Sequence, residues 1–256
     1  MLLEIKGLNH KFHGLHAVKD VSLQVREGEL AGIIGPNGAG KTTVFNLITG
    51  VYRPTSGDIR FQGESIVGLT PSAIVRRGIA RTFQTIRLFR DLTVLDNVRI
   101  AHYQTATYPL FSSFLRTPGM VRREEEIVQR SLELLDVFGL AHLAAEKASS
   151  LPYGQQRQLE IARALATEPK LLLLDEPAAG MNPAEVEELS ELIKYVQERF
   201  NVTILLIEHQ MKMVMSICQR LTVLDFGQII AEGPPEEVRS NQRVLEAYLG
   251  RGAVLA

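Results

Sequence analysis

Two hydrophobic rhythms alternate along the chain. Residues 3–6 and 21–25 switch between apolar and polar side chains with a period of two, the pattern of half-buried antiparallel strands, and predict a small sheet at the start of the fold. Residues 30–34 are continuously apolar or small and run into a glycine-rich turn. They lead to a segment in which Val44, Leu47 and Ile48 recur at helical spacing, which reads as strand, loop, helix. Two further uncharged β-type runs, residues 171–174 and 202–207, flank residues 184–199, where Val186, Leu189, Ile193 and Val196 repeat at helical spacing. Continuous apolar strands alternating with amphipathic helices indicate an α/β fold, a parallel sheet covered on both faces. Asn182, Pro183 and then Glu185, Glu187 and Glu188 predict a helix start: a side-chain cap, a proline at the first helical position and carboxylates in the positive first turn. Residues 221–224 and 228–231 flank Asp225-Phe226-Gly227, a turn signal that predicts a hairpin. Residues 86–168 show helical spacing at 127–140 and 159–165 and no comparable strand, which predicts a mostly helical subdomain inserted into the α/β core. The charged run Arg122-Arg123-Glu124-Glu125-Glu126 reads as a solvated helix face.

The chain has 256 residues, enough for a sizeable buried core, and its 45% hydrophobic and 22% charged residues sit near the average for globular proteins. Composition therefore selects no function. Lys and Arg total 28 against 29 acidic residues, so no overall basic field draws the protein to nucleic acid or to an anionic membrane. Phosphate must be gripped locally if it is bound at all. The single Cys218 excludes an intrachain disulfide and a multi-cysteine zinc site. The longest stretch free of Asp, Glu, Lys and Arg, residues 100–115, is too short and too interrupted by polar side chains to span a bilayer. No basic stretch followed by an apolar run opens the sequence, so no signal peptide is expected.

Such a local grip is encoded at Gly35-Pro36-Asn37-Gly38-Ala39-Gly40-Lys41-Thr42-Thr43, where Gly-x-x-x-x-Gly-Lys-Thr follows a buried-type strand and opens a helix. Glycines let backbone N–H groups turn inward around phosphate oxygens, and the helix N-terminus adds partial positive charge. Lys41 then neutralises the outer phosphates, and the Thr42 hydroxyl ligates Mg²⁺. A second feature, Leu171-Leu172-Leu173-Leu174-Asp175-Glu176, is an apolar strand ending in adjacent carboxylates. Alternation along an extended chain points them in different directions, so Asp175 can hold Mg²⁺ through its water shell while Glu176 accepts a proton from attacking water. His209 closes another core strand at the same sheet edge, within reach of a γ-phosphate. No partner His or Cys stands at ligand spacing from Glu208-His209, which argues against a metal site there.

These residues, with Leu151-Pro152-Tyr153-Gly154-Gln155 just ahead of a helical segment, resemble the ATP-binding subunit of an ABC transporter over nearly the whole chain. The resemblance implies a P-loop NTPase (RecA-like) core with an N-terminal antiparallel β subdomain and an inserted helical subdomain. Residues 1–85 and 169–256 would form the core, and residues 86–168 the helical part with the signature. It implies ATP and Mg²⁺ as cofactors, Phe12 stacking on adenine, Gln84 contacting Mg²⁺ and sensing the γ-phosphate, and a loop at Ala179-Gly180-Met181-Asn182 crossing a dimer interface. Tyr153, Gly154 and Gln155 would face the nucleotide held by the opposite subunit. The family's Leu-Ser-Gly-Gly-Gln signature is matched here at Leu151, Gly154 and Gln155, whereas Pro152 lacks the serine hydroxyl and N–H.

The Tyr-Gly-Gln-Gln-Arg run is similar to a subgroup serving bacterial branched-chain amino-acid importers. So are residues 79–84 with Arg87-Leu88-Phe89-Arg90, residues 177–183 and Ala247-Tyr248-Leu249-Gly250. Within that subgroup the insert at residues 102–123 looks like the first of two ATPase subunits. Implied partners are a second ATPase subunit, identical or different, two transmembrane permease subunits and indirectly a periplasmic or surface substrate-binding protein, with no nucleic acid. The implied location is the cytoplasmic face of the membrane. A helical strip after Gln84, carrying Leu88, Phe89 and Leu92, is expected to receive the permease. The other readings are an ABC ATPase of another transport system, a coiled-coil chromosome or repair ATPase, for which the length leaves no room, a nucleotide-dependent regulatory module without turnover, and a small-molecule kinase, which would lack the signature helix.

Overall fold

The computed structural model describes residues 1–103 and 118–249, which divide between two compact units, Met1–Arg81 with Lys170 onward, and Thr82–Pro169. The first unit is built on two sheets. Strands β1 (Leu3–Phe12), β2 (Leu15–Val25), β4 (Ser56–Phe61) and the short β5 (Glu64–Ser65) form an antiparallel sheet in the order β2-β1-β4-β5. The second sheet has six strands: β6 (Ile79–Arg81), β7 (Leu171–Asp175), β8 (Thr203–Ile207), β3 (Leu30–Ile34), β9 (Arg220–Asp225) and β10 (Gln228–Gly233). From β6 to β9 neighbouring strands run parallel, and only the edge hairpin β9–β10 is antiparallel. Every residue of β3, β7 and β8 is buried, which explains their unbroken apolar runs: neither face of these strands meets water. Helix α1 (Lys41–Ile48) buries Val44, Phe45, Leu47 and Ile48 in the same core as Ile33, Leu171 and Leu173 of the parallel sheet and Leu3, Ile5, Ile59 and Phe61 of the small one. Short α2 (Pro71–Arg76) precedes β6, and α6 (Pro183–Phe200) joins β7 to β8. Asn182 caps α6 by accepting from the Ala184 and Glu185 N–H groups, while Glu185 reaches back to the Asn182 N–H. Among the described residues this unit also holds the short helices α7 (Met211–Ile217), α8 (Pro235–Arg239) and α9 (Gln242–Leu249).

In the second unit, α3 (Val94–His102) packs on α4 (Pro118–Val137) and α5 (Tyr153–Leu165). The run expected to be helical after Gln84 is not: Leu88, Phe89 and Leu92 precede α3 in irregular backbone. That stretch is tied to residues 146–149 instead, through Val94 N to Glu146 O at 2.9 Å, Ala148 N to Leu92 O at 3.0 Å and Ser149 N to Arg90 O at 3.1 Å. Thr93 then starts α3 by accepting from the Asp96 N–H at 3.0 Å. Buried Asn97 holds the Phe89 peptide from both ends, its Oδ1 accepting from Phe89 N and its Nδ2 donating to Phe89 O. Helix α4 ends sooner than the 127–140 periodicity suggests, because Gly139 turns to a φ of 67° and Leu140 N returns to Leu135 O. The charged run at residues 122–126 lies on α4, largely exposed. Most of the insert at 102–123, and Gly250, fall outside the described residues.

Candidate active site

Strand β3 delivers the chain into the loop at residues 35–40, and two glycines there have no substitute. Gly35 sits at a φ of 146°, where a Cβ would stand 2.0 Å from the Leu224 carbonyl oxygen, and Gly40 at 102°, where one would stand 2.6 Å from that of Ala17. The loop is thus pressed against β9 and β2, and the Gly227 N–H of the hairpin turn donates to Ala39 O at 2.9 Å. Gly40 is also the N-cap of α1 and brings no side-chain acceptor, leaving the N–H groups of the first turn to another partner. Lys41 is only 5% exposed, and its Nζ donates to the carbonyls of Gly35 at 2.7 Å and Pro36 at 2.9 Å. Burial lowers its pKa, opposed by the negative charges of Glu176 and Asp175. Thr42, Asn37 and Gly38 are exposed, Pro36 and Thr43 half-buried. A cavity of about 730 Å³ opens against residues 36–39, bounded by Phe226 of the hairpin turn and by Arg243 and Glu246 of α9; Lys41 and Thr42 do not line it.

The carboxylates at the end of β7 part, but through a left-handed turn at Glu176 rather than through alternation along an extended strand. Buried Asp175 accepts from Arg81 NH2 at 2.6 Å, and the same guanidinium donates through NH1 to Asn46 Oδ1 at 2.7 Å and Thr49 Oγ1 at 3.2 Å. Arg81 therefore links Asp175 to α1, the helix that carries Lys41 and Thr42. Glu176 leaves the strand with a left-handed φ of 49°, its N–H donating to Ile207 O at 2.8 Å. Its Oε1 lies 2.7 Å from His209 Nε2. Two residues assigned separate tasks from the sequence are thus a hydrogen-bonded pair at the ends of adjacent strands. Phe12 is half-buried and packs edge-on against His10, with ring centroids 4.5 Å apart, and against Tyr52 at 5.2 Å.

A family model described as ABC transporter matches residues 18–179, and one described as branched-chain amino acid ATP-binding cassette transporter matches residues 228–254. The chain belongs to the ABC transporter family. This ABC ATPase is 50% identical to the high-affinity branched-chain amino acid transport ATP-binding protein LivG of Salmonella typhimurium, over 97% of its own length and 98% of the relative's. It superimposes with a TM-score of 0.85 and 35% identity on the ADP conformation of an ATP-binding cassette of an ABC transporter, covering 97% of this chain and 98% of the other. For a dimeric post-hydrolysis cassette bound to ADP and Pi the TM-score is 0.76 at 26% identity, over 91% and 99% of the two chains.

Gln84 and the signature residues of the ABC ATPase lie in its second unit, and the loop at residues 179–182 in its first. Gln84 is exposed, and its carbonyl accepts from Arg157 NH2 at 2.8 Å. Leu151 and Pro152 lead into α5 with Pro152 as N-cap, so Tyr153, Gly154 and Gln155 make its first turn. Pro152 supplies no side-chain cap, though its carbonyl accepts the Gln156 N–H at 2.9 Å, and Gln156 also turns back, its Nε2 donating to Leu151 O at 2.7 Å. Arg157, fully buried, was not foreseen. It donates to Phe83 O at 2.7 Å, pairs with Glu160 at 2.5 Å and reaches the Tyr153 hydroxyl at 3.4 Å, which fixes the Gln84 backbone to the helix that the signature opens. Arg81 and Glu208 were missed in the first unit because the partners of Arg81, and the Ala178 N–H that Glu208 accepts, are remote in sequence.

Proposed function

We propose that this chain is the ATP-hydrolysing subunit of an ABC importer that carries branched-chain amino acids across the cytoplasmic membrane. The observation that carries the chemistry is the 2.7 Å contact between Glu176 and His209, made at the sheet edge where β3 feeds the phosphate loop. In this reading residues 35–43 cradle the phosphates, Lys41 leaves the Gly35 and Pro36 carbonyls for phosphate oxygens, and Phe12 stacks on adenine. Glu176 takes the proton of the attacking water, and His209 contacts the γ-phosphate.

Among the described residues no group of three His, Cys, Asp or Glu side chains could hold a metal unaided. The Thr42 hydroxyl and the Asp175 carboxylate are oxygen donors, which suit Mg²⁺, an ion that keeps several waters and takes phosphate oxygens as ligands. Thr42, Gln84 and Asp175 would hold the ion, Asp175 through water. Bound there, the ion would supply positive charge against the negative charge of the phosphates. Gln84 also senses the γ-phosphate, and Tyr153, Gly154 and Gln155 face the nucleotide of a second ATPase subunit across a dimer. The loop at residues 179–182 crosses that interface.

Among the described residues no helix is long and apolar enough to cross a membrane. In this reading passage through the bilayer belongs to two permease subunits, fed by a substrate-binding protein. The cassette then sits at the cytoplasmic face. Phe89, 50% exposed, is the residue expected to meet the permease. The test is uptake of labelled leucine, isoleucine or valine by vesicles carrying the complete importer. Uptake that needs ATP and this subunit is expected; unchanged uptake without the subunit would overturn the assignment.

A further inference from the structure

Three consecutive residues at the end of β8 grip one loop. Glu208 is 2% exposed, and its Oε1 accepts the Ala178 N–H at 2.8 Å. Its Oε2 accepts the N–H groups of His209 at 2.8 Å and Gln210 at 3.2 Å. Gln210 Nε2 donates to the Ala178 carbonyl at 3.1 Å, so the buried Ala178 is held by both its N–H and its C=O. Between these two teeth stands His209, on Glu176 Oε1 at 2.7 Å. Within and beside the loop, Glu176 N donates to Ile207 O at 2.8 Å, Ala179 N returns to Glu176 O at 3.2 Å and Met181 N to Ala178 O at 3.2 Å, after which Asn182 opens α6.

The choice of a carboxylate at 208 carries the argument. None of the ion pairs among the described residues includes Glu208, and a buried charge without a counter-ion is costly unless hydrogen bonds replace its water. Three backbone N–H groups do that here, and all three are donors. A glutamine of the same shape would have to point its NH₂ at one of these N–H groups, donor against donor. Only an acceptor on both branches closes this clamp.

We propose that Glu208 and Gln210 are positioning residues that bind the loop at residues 176–182 to His209, so that displacement of the His209 ring and displacement of that loop are one motion. The coupling stands on the hydrogen bonds alone; its effect on turnover rests on the reading of Glu176 as base and His209 as γ-phosphate contact. In that reading the loop facing the second subunit responds to the state of the phosphate at the first.

The experiment is amide hydrogen exchange on the full chain, without nucleotide and with MgATP, comparing wild type, Glu208→Gln and Gln210→Ala, with steady-state ATPase alongside. Glu208→Gln is expected to speed exchange at Ala178, His209 and Gln210 roughly tenfold or more while α1 stays protected. Its kcat should fall roughly tenfold with KM for ATP within about twofold, a split that general destabilisation would not give. Gln210→Ala should show a smaller rise at residues 178–182 and decides the matter if Glu208→Gln does not fold. Unchanged exchange at those residues in a folded variant, or faster exchange throughout the chain with kcat and KM moving together, would overturn the clamp. A complete importer that carries the wild-type subunit and hydrolyses no ATP would overturn the functional reading, and the nucleotide-free exchange would still decide the clamp.

Discussion

Lys41 is poised rather than idle. Its ammonium is buried and satisfied by two carbonyls of its own loop, burial lowers its pKa, and Glu176 and Asp175 oppose that shift. A phosphate arriving at the first turn of α1 supplies the full negative charge that those carbonyl dipoles only approximate. Removing the charge should therefore cost what a charge-assisted hydrogen bond is worth, about 1.5–3 kcal/mol, or roughly 10–150-fold in the dissociation constant for MgATP. The measurement is titration of a fluorescent ATP analogue against Lys41→Ala; affinity within twofold of wild type would remove Lys41 from the site. The loop that presents Lys41 was legible because all its parts are contiguous: glycines, lysine and threonine follow one another in the order the geometry needs. Arg81 was not legible. Its partners Asp175, Asn46 and Thr49 are distant in sequence, and nothing local in Ile79-Ala80-Arg81 signals that a guanidinium will be held 2.6 Å from the Asp175 carboxylate.

At the scale of elements, sequence foresaw what local chemistry decides and missed what long-range hydrogen bonds decide. The helix over residues 184–199 was visible from its cap and stripe, and α6 begins with the complete capping box of Asn182 and Glu185. Asn182→Ala should lower unfolding stability by about 1 kcal/mol, read by urea denaturation; an unchanged midpoint would show that the loop, not the cap, fixes the helix start. Leu88, Phe89 and Leu92 have helical spacing yet stay irregular, because backbone bonds to residues 146–149 capture that stretch first. A second hidden tie joins the strands. Arg220 at the start of β9 donates to Glu29 Oε1 at 2.7 Å and Oε2 at 3.0 Å and also pairs with Glu232 of β10. Burial pushes the Glu29 carboxyl up, but Arg220 and the Arg26 N–H outweigh it and hold its pKa below the ordinary 4.5. A carboxyl held low in the fold contributes stability above its unfolded pKa and loses it as pH falls through the folded value. Glu29→Gln should thus be less stable than wild type at neutral pH by about 1.5–3 kcal/mol, with the gap closing as pH falls below 4.5. A gap that persists undiminished into acid would mean that packing, not charge, holds this corner.

For the whole molecule, the residues to which the proposed reading gives hydrolysis are divided: Lys41, Asp175, Glu176 and His209 belong to the first unit, Gln84 and the signature turn at Tyr153, Gly154 and Gln155 to the second. In the proposed reading one copy's signature turn meets the nucleotide on the other, so a stable pair forms only while ATP is intact. Glu176→Gln keeps the shape of the side chain but removes its ability to take a proton from water, so binding and closure should proceed and turnover should stop. The net charge of −1 leaves no strong repulsion between two copies to oppose this. Light scattering on Glu176→Gln should show a doubled mass with MgATP that persists, whereas wild type returns to the lower mass as its ATP is consumed. Adding Lys41→Ala to the same chain should abolish the doubled mass, because the bound nucleotide is what joins the two copies. A Glu176→Gln chain that hydrolyses ATP at the wild-type rate would remove Glu176 as the base. One that stops hydrolysis, still binds MgATP and stays at single mass would keep the base and reject closure across the nucleotide.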